Sequence, residues 1–367
     1  MLDKIRRFLT GDFKISAARY VIAILLTLLL GSVLIMAYGE SPLTAIHYII
    51  KGSFGSKMSI GSTIRYMTPC VLLATAAAVA FKSGVLNMGL EGQLYFGSLV
   101  AAVVGYNFHL PAGIHLVVCL LAGALAGVIY ALIPAFLKLL INVDEMVSTL
   151  MLNFIAVSMT DYIVLWKIIG GNVSESGSTA VVTPTIDATA KLPTLIKGTT
   201  SNYGFFIAIV IAVIVYILYK YTVLGYELKQ VGENIKFAKL GGVNTNKTFL
   251  IIFIVSGFIA GLCGAIEVTG SYGKFLSGYA SNMAWNGIMI AHIANRNPLT
   301  IIIVSLIWGA LQAGALTMER QTSLNKLTVY IVQMLFVLFI SVDYKSIFDN
   351  IKNRARERKI AKSKEIA

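Results

Sequence analysis

Apolar stretches of about 20 residues, the length a helix needs to cross a bilayer, follow one another along nearly the whole chain. Short polar or glycine-bearing breaks separate them. The pattern predicts spans near 20–38, 62–81, 88–107, 113–137, 146–166, 204–221, 248–268, 284–296, 298–317 and 326–342. The eighth, AWNGIMIAHIANR, is short and polar and reads as a half-helix. The fold class is an all-α polytopic membrane protein of about ten transmembrane helices, some short or broken.

Three pieces between spans stand out. Residues 39–61 contain LTAIHYII, an amphipathic helix expected at the outer surface. Residues 167–203 are rich in Ser, Thr, Gly and Pro without helical period and form an outer loop. This loop carries an NVS triplet at 172–174 that fits a glycosylation acceptor. Residues 221–247 form the longest inner loop between spans. Their ELKQVGENIKFAKLGG predicts two short helices with a break at Gly232, the second running Asn234–Leu240 and stopped by Gly241-Gly242. Two such helices make a docking element or an ordinary connection.

Composition removes the soluble classes. Mean hydropathy is +0.79, and only 13% of residues are charged, against about a quarter in a soluble domain. The chain divides into a basic cytoplasmic N-terminus (1–19), a transmembrane domain (20–342) and a basic cytoplasmic tail (343–367). Of the 30 Lys and Arg residues, 21 fall on the side holding both termini and nine, Arg65 among them, on the other. Basic loops stay cytoplasmic, so the net charge of +13 orients the chain and does not mark a nucleic-acid binder. The tail IKNRARERKIAKSKEIA reads as a solvated helix near anionic lipid. Cys70, Cys119 and Cys263 lie in apolar stretches as small core residues. The first span is too long for a signal-peptide core and is expected to remain as an anchor.

Polar residues inside apolar chain carry the candidate chemistry. In KSGVLNMGLEGQ (82–93), Asn87 is placed to cap the next helix, with Glu91 one turn later near the positive end of the dipole. Either this group is scaffold, or Asn87, Glu91 and Gln93 line a transport path. A second group, Glu267, Tyr272, Phe275, Tyr279, Trp285 and Asn286, surrounds the link between spans seven and eight. Trp and Tyr also gather at membrane interfaces whatever the substrate. His292 and Gln312 suit interhelical hydrogen bonds, Asp144-Glu145 suits a helix start, and Asp161 sits within span five.

FKSGVLNMGLEGQLYFGSLVAA resembles the "raGlfNiGaEGQ" signature of permease subunits of bacterial ABC importers for nucleosides and simple sugars, in the branched-chain amino acid and ribose-type permease superfamily. Residues 260–314, from AGLCGAIEVTG to LIWGALQAG, are similar to a second family pattern. GYELKQVGENIKFAKLGGVN is similar to the family's coupling loop, departing from it at Lys229-Gln230 and Lys236-Phe237. The resemblance implies a type II ABC-importer-like permease in the bacterial cell membrane, translocating nucleosides such as guanosine, with a simple sugar or a branched-chain amino acid as alternatives. It implies a cytoplasmic ABC ATPase docking on Glu227, Gly232, Glu233, Asn234, Lys239, Gly241 and Gly242. It further implies a second, homologous permease chain in a heterodimer and an extracellular solute-binding lipoprotein. Flat aromatics of the outer group then suit stacking on a purine base.

No GxxxxGKS/T phosphate loop occurs, and GSYGKF (270–275) lacks the spacing. ATP and magnesium therefore belong to the partner ATPase, and no cofactor or metal is expected here. The histidines His47, His109, His115 and His292 are dispersed, with no HExxH or GxSxG, so an enzyme is not expected. The rival class is an ion-coupled secondary transporter using Glu91 and Glu267.

Overall fold

Every predicted apolar run forms a helix. The structure, a computed structural model, describes residues 11–168 and 181–342. In order these helices are α1 (Gly11–Ala37), α2 (Pro42–Phe54), α3 (Lys57–Lys82), α4 (Leu90–Asn107), α5 (Ile114–Ile141), α6 (Glu145–Tyr162), α7 (Gly204–Tyr221), α8 (Val223–Glu233), α9 (Ile235–Leu240), α10 (Thr245–Glu267), α11 (Met283–Ile293), α12 (Pro298–Gln321) and α13 (Leu327–Ser341). Two end in π-helical turns, Ile163–Ile168 after α6 and Val268–Tyr272 after α10.

Among the described residues, α3, α5, α6, α7, α10 and α12 are long and apolar enough to cross a membrane. The amphipathic α2 turns from α1 by 107°. α4, at 18 residues, and α13, at 15, supply the third and last expected spans. The 11 residues of α11 rise about 16 Å, half the hydrocarbon thickness. It is the half-helix its polar sequence predicts.

Residues 49–314 form one compact unit, and those before and after form another. In the larger unit small residues decide how helices meet. A Cβ on Gly97 of α4 would stand 2.5 Å from the Gly261 carbonyl oxygen of α10, and one on Gly127 of α5 would stand 2.4 Å from that of Gly257. Gly123 and Gly127 on α5, and Gly257 and Gly261 on α10, are four residues apart. This is the spacing that lets membrane helices touch backbone to backbone. α3 passes through the interior of the unit, with Val71–Ala80 all buried.

In the smaller unit α1 packs on α13, with Gly31 facing Val332. The Glu40 carboxylate, at the end of α1, accepts from the Ser323 amide at 2.9 Å and hydroxyl at 3.0 Å. The basic residues of 1–10, the tail 343–367 and the NVS triplet lie outside the described residues.

The structure corrects three expectations. Asn87 does not cap α4: Gly89 holds the cap position without a side-chain bond, and Asn87 turns into the protein. The break in the inner loop falls at Asn234, not Gly232. Asn234 is extended at φ −159° and accepts from the Lys236 and Phe237 amides, so it ends α8 and starts α9. Arg65, counted beside a loop, instead lies within α3 and is 8% exposed.

Candidate functional site

Arg65 stands two turns inside the N-terminal end of α3. Its Nη1 and Nη2 donate to Oε1 and Oε2 of Glu267 at 3.0 and 2.6 Å. The planar guanidinium fork matches the carboxylate, so the pair is bidentate. Glu267 is 1% exposed and closes α10, immediately before the π-turn. Breaking such a pair by removing one partner costs about 3–5 kcal/mol, because the other charge stays buried and alone. Replacing both partners by apolar residues costs far less. Packing alone therefore does not account for an arginine here.

Aromatic rings enclose the pair. The guanidinium carbon lies 5.3 Å from the Tyr272 ring centre and 6.0 Å from that of Tyr66. Tyr272 meets Tyr279 edge to face at 4.9 Å, and Tyr279 in turn meets Phe275 and Tyr95. The Tyr279 hydroxyl bonds Ser98 on α4. Phe275 is fully buried, whereas Tyr272 is 36% exposed and carries the cluster to the surface. π-helical turns recur at functional sites because they shift side chains out of helical register. Here the turn puts Tyr272 against Arg65.

An ordered strap from the outer loop backs this segment. Leu192 N donates to Thr269 O, Ile186 N to Gly273 O and Thr183 N to Phe275 O, at 2.9–3.1 Å. The strap is pinned at its middle, where Asp187 Oδ2 pairs with His109 Nδ1 at 2.9 Å. The hydrogen bond from His109, helped by the Thr189 amide, holds the Asp187 carboxyl below its ordinary value.

The polar stretch between α3 and α4 answers a different need. Its chain is not helical from Val85 to Met88, so these backbone groups require partners other than those of a helix. Side-chain amides supply them. Asn153 of α6 accepts from Gly92 N at 2.9 Å and donates to Met88 O at 2.8 Å. Thr149 accepts from Met88 N, and Asn87 accepts from Gly89 N. Asn87 and Gln93 exchange amide bonds at 3.1 and 3.3 Å, and Asn87 donates to Ser256 on α10 at 2.9 Å. Glu91 is half-buried in the first turn of α4.

Arg65 and Lys82 are 17 residues apart on α3, about 26 Å. The two groups thus occupy opposite ends of the unit. Glu267, Tyr272, Phe275 and Tyr279 converge near the N-terminal end of α3 with Arg65, Tyr66, Tyr95 and Ser98, which sequence reasoning had not joined to them. The signal for Arg65 was a lone arginine inside an otherwise uncharged helical run. Asn286 is buried on α11 next to Gly287, which packs on Leu73 and Ala74, while Trp285 is 41% exposed.

At the other end of the unit α8 is seated and α9 is exposed. Leu228 joins Ala80, Val85, Ala131, Ala135, Ile252 and Phe253 in a buried cluster. Gly232 lies on the turn after α3, where its Cβ would meet Lys82 O at 2.4 Å. Gly84 opposite it, at φ +75°, completes the close approach. Glu227 is half-buried, and Glu233 is exposed and pairs with Lys229 at 3.6 Å. On α9 only Ala238 is buried. Ile235, Phe237, Lys239 and Leu240 project outward, and Gly241 and Gly242, the latter at φ +82°, stop the helix.

The chain resembles known transport proteins over most of its length. It is 31% identical to the guanosine ABC transporter permease protein NupP of Bacillus subtilis, over 88% of this chain and 92% of that protein. It is 29% identical to the nucleoside ABC transporter permease protein NupB of Lactococcus lactis, over 88% and 90%. It is 28% identical to a glucose ABC transporter permease protein of Haloferax volcanii, over 87% and 86%. The family model described as "Branched-chain amino acid transport system / permease component" matches residues 59–340, a stretch holding the α3–α4 turn, the inner loop and the outer ion pair. With that match and these relatives, the chain belongs to the branched-chain amino acid transport permease family of multi-pass ABC transporter permeases.

Proposed function

We propose that this chain is one membrane-spanning subunit of an ATP-driven importer of nucleosides, with purine nucleosides such as guanosine as its cargo. The observation that carries the reading is the pairing of an inner helix built to be touched with an outer aromatic and ionic cluster. On α9 three large apolar side chains face outward, 53–89% exposed, on a helix held by its neighbour α8. A cytoplasmic ABC ATPase seated there would move α8. The seat of α8 on the α3–α4 turn would carry that movement into α3. Such coupling requires the ATP-bound and ATP-free partner to contact this element differently.

Cargo identity rests on the nucleoside-named relatives and on the flat Tyr and Phe side chains around Arg65 and Glu267, which suit a base. A solute-binding lipoprotein would deliver it at the outer face, and a second, homologous permease chain would complete the path. Both termini would lie in the cytoplasm, by the distribution of basic residues. Asn87, Glu91 and Gln93 would border the inner part of the path, held by the amide network. The glucose-named relative supports one alternative, a simple sugar.

The test is uptake of labelled guanosine with and without the gene, challenged by excess ribose, other nucleosides and leucine. Gene-dependent uptake that nucleosides alone compete away is expected. Unchanged guanosine uptake, once a redundant system is excluded, overturns the nucleoside assignment and leaves sugar as the leading cargo.

A further inference from the structure

The Arg65–Glu267 pair has a property its structural role does not require. It sets two hydrogen-bond donors directly opposite two acceptors, within a wall of aromatic rings. We propose that this pair is the recognition subsite for the edge of a purine base, with Arg65 reading the carbonyl and Glu267 the adjacent N–H groups. The proposal rests on the nucleoside reading above and deepens it.

The chemistry follows from the inventory of groups. A guanidinium only donates and a carboxylate only accepts. In the closed arrangement each satisfies the other through two bonds. Parting them with nothing in between strands two charges that are each more than nine-tenths buried. A guanine edge removes that obstacle. Its O6 accepts from Arg65, while its N1–H and N2–H donate to the two oxygens of Glu267. Arginine pairs commonly with guanine through O6 and N7, and O6 is the acceptor used here. A hypoxanthine edge offers the O6 and N1–H contacts only. Adenine presents a donor where the carbonyl stood, so Arg65 loses its acceptor. Sugars and aliphatic amino acids lack the planar edge.

Position supports the assignment. Tyr272 covers the guanidinium and is the cluster member that reaches the surface, so a base arriving from outside meets it first. It stands on the π-turn directly after Glu267, and Gly273 beyond it is left-handed at φ +68°. Displacement of Tyr272 by an entering base would uncover Arg65, beside Glu267 at the end of α10. Tyr279, edge-on to Tyr272, offers the second aromatic face.

The experiment measures uptake of guanosine, inosine and adenosine, each well below its saturating concentration, in cells carrying the complete transporter with wild-type chain, Arg65→Lys, Glu267→Gln or Tyr272→Leu. Membrane levels of each variant are followed alongside. The wild type is expected to favour guanosine, then inosine, then adenosine. Arg65→Lys and Glu267→Gln are expected to lower the guanosine-to-adenosine ratio by about tenfold or more, since a site built for polar groups discriminates through the pairs it would leave unmade. Tyr272→Leu strands no buried charge; stacking does not distinguish one base from another, so uptake of all three purine nucleosides is expected to fall alike with it. Equal loss of all three nucleosides in Arg65→Lys and Glu267→Gln, or an unchanged ratio there, overturns the subsite and makes the pair a structural clasp between α3 and α10, with the nucleoside reading intact. A wild type that carries none of the three overturns the nucleoside reading itself, and the subsite with it.

Discussion

Replacing Gly232 by alanine tests whether α8 is the element that links the inner face to the membrane helices. The added Cβ would lie 2.4 Å from Lys82 O, 2.8 Å from Ser83 C and 2.9 Å from Ser83 Cα, where ordinary contact begins at 3.4 Å. All three are backbone atoms, so no side chain can turn aside. The α8 helix must therefore lift from the turn by about 1 Å. Overpacking of this kind costs about 1–3 kcal/mol, and alanine in a helix returns about 1 kcal/mol relative to glycine. The net loss of stability is then at most about 2 kcal/mol, and the chain still folds. Coupling is expected to suffer more, because the seat of α8 on Lys82–Gly84 is its contact with α3. The assay is paired measurement of ATP hydrolysis and substrate uptake by the assembled transporter in vesicles. We expect hydrolysis to persist while uptake per ATP falls severalfold. Wild-type coupling with an unchanged melting temperature would refute the seating of α8 on this turn.

Three further outcomes follow from other parts of the molecule. Leu240→Ser removes a side chain that is 89% exposed, so the permease should keep its melting temperature and lose co-purification with its ATPase; intact co-purification would place the partner elsewhere. Asn153→Ala leaves the buried Gly92 N and the partly buried Met88 O without their amide partner and should cost about 1–3 kcal/mol for the buried amide, read as a lower melting temperature in detergent. The carboxyl of Asp187 is held below its ordinary value of 3.8 first by the hydrogen bond from His109. A depressed carboxyl stabilises above the unfolded value and loses that contribution as pH falls through the folded one. Amide exchange at Thr189, corrected for its intrinsic pH dependence, should therefore not register Asp187 protonation between pH 7 and 5, and protection should fall only below about pH 4. Loss of protection in an Asp187→Asn variant at pH 7, to the extent seen in acid, would tie the effect to this carboxylate.

Much of the architecture was written in local pattern. Runs of apolar residues predict every span, because a helix in lipid must satisfy its own backbone and show apolar side chains, and both needs are met within some 20 consecutive residues. The short eighth span was visible for the same reason, as were the stop at Gly241-Gly242 and the amphipathic turn into α2. Positions set by distant neighbours were not visible. Asn87 has the composition of a helix cap, yet Gln93 and Ser256, the latter 169 residues away, draw its amide into the interior. Gly232 looks like a helix break, but its lack of a side chain serves the approach of α8 to Lys82, and Asn234, whose side chain can cap, makes the break. Arg65 counted as one more outer basic residue until α10 placed Glu267 opposite it, 202 residues on. Hydrophobicity and helix punctuation are properties of a chain segment, so the sequence by itself determined the elements and their order. Which polar groups share a buried site depends on contacts between helices, and only the tertiary structure decided that.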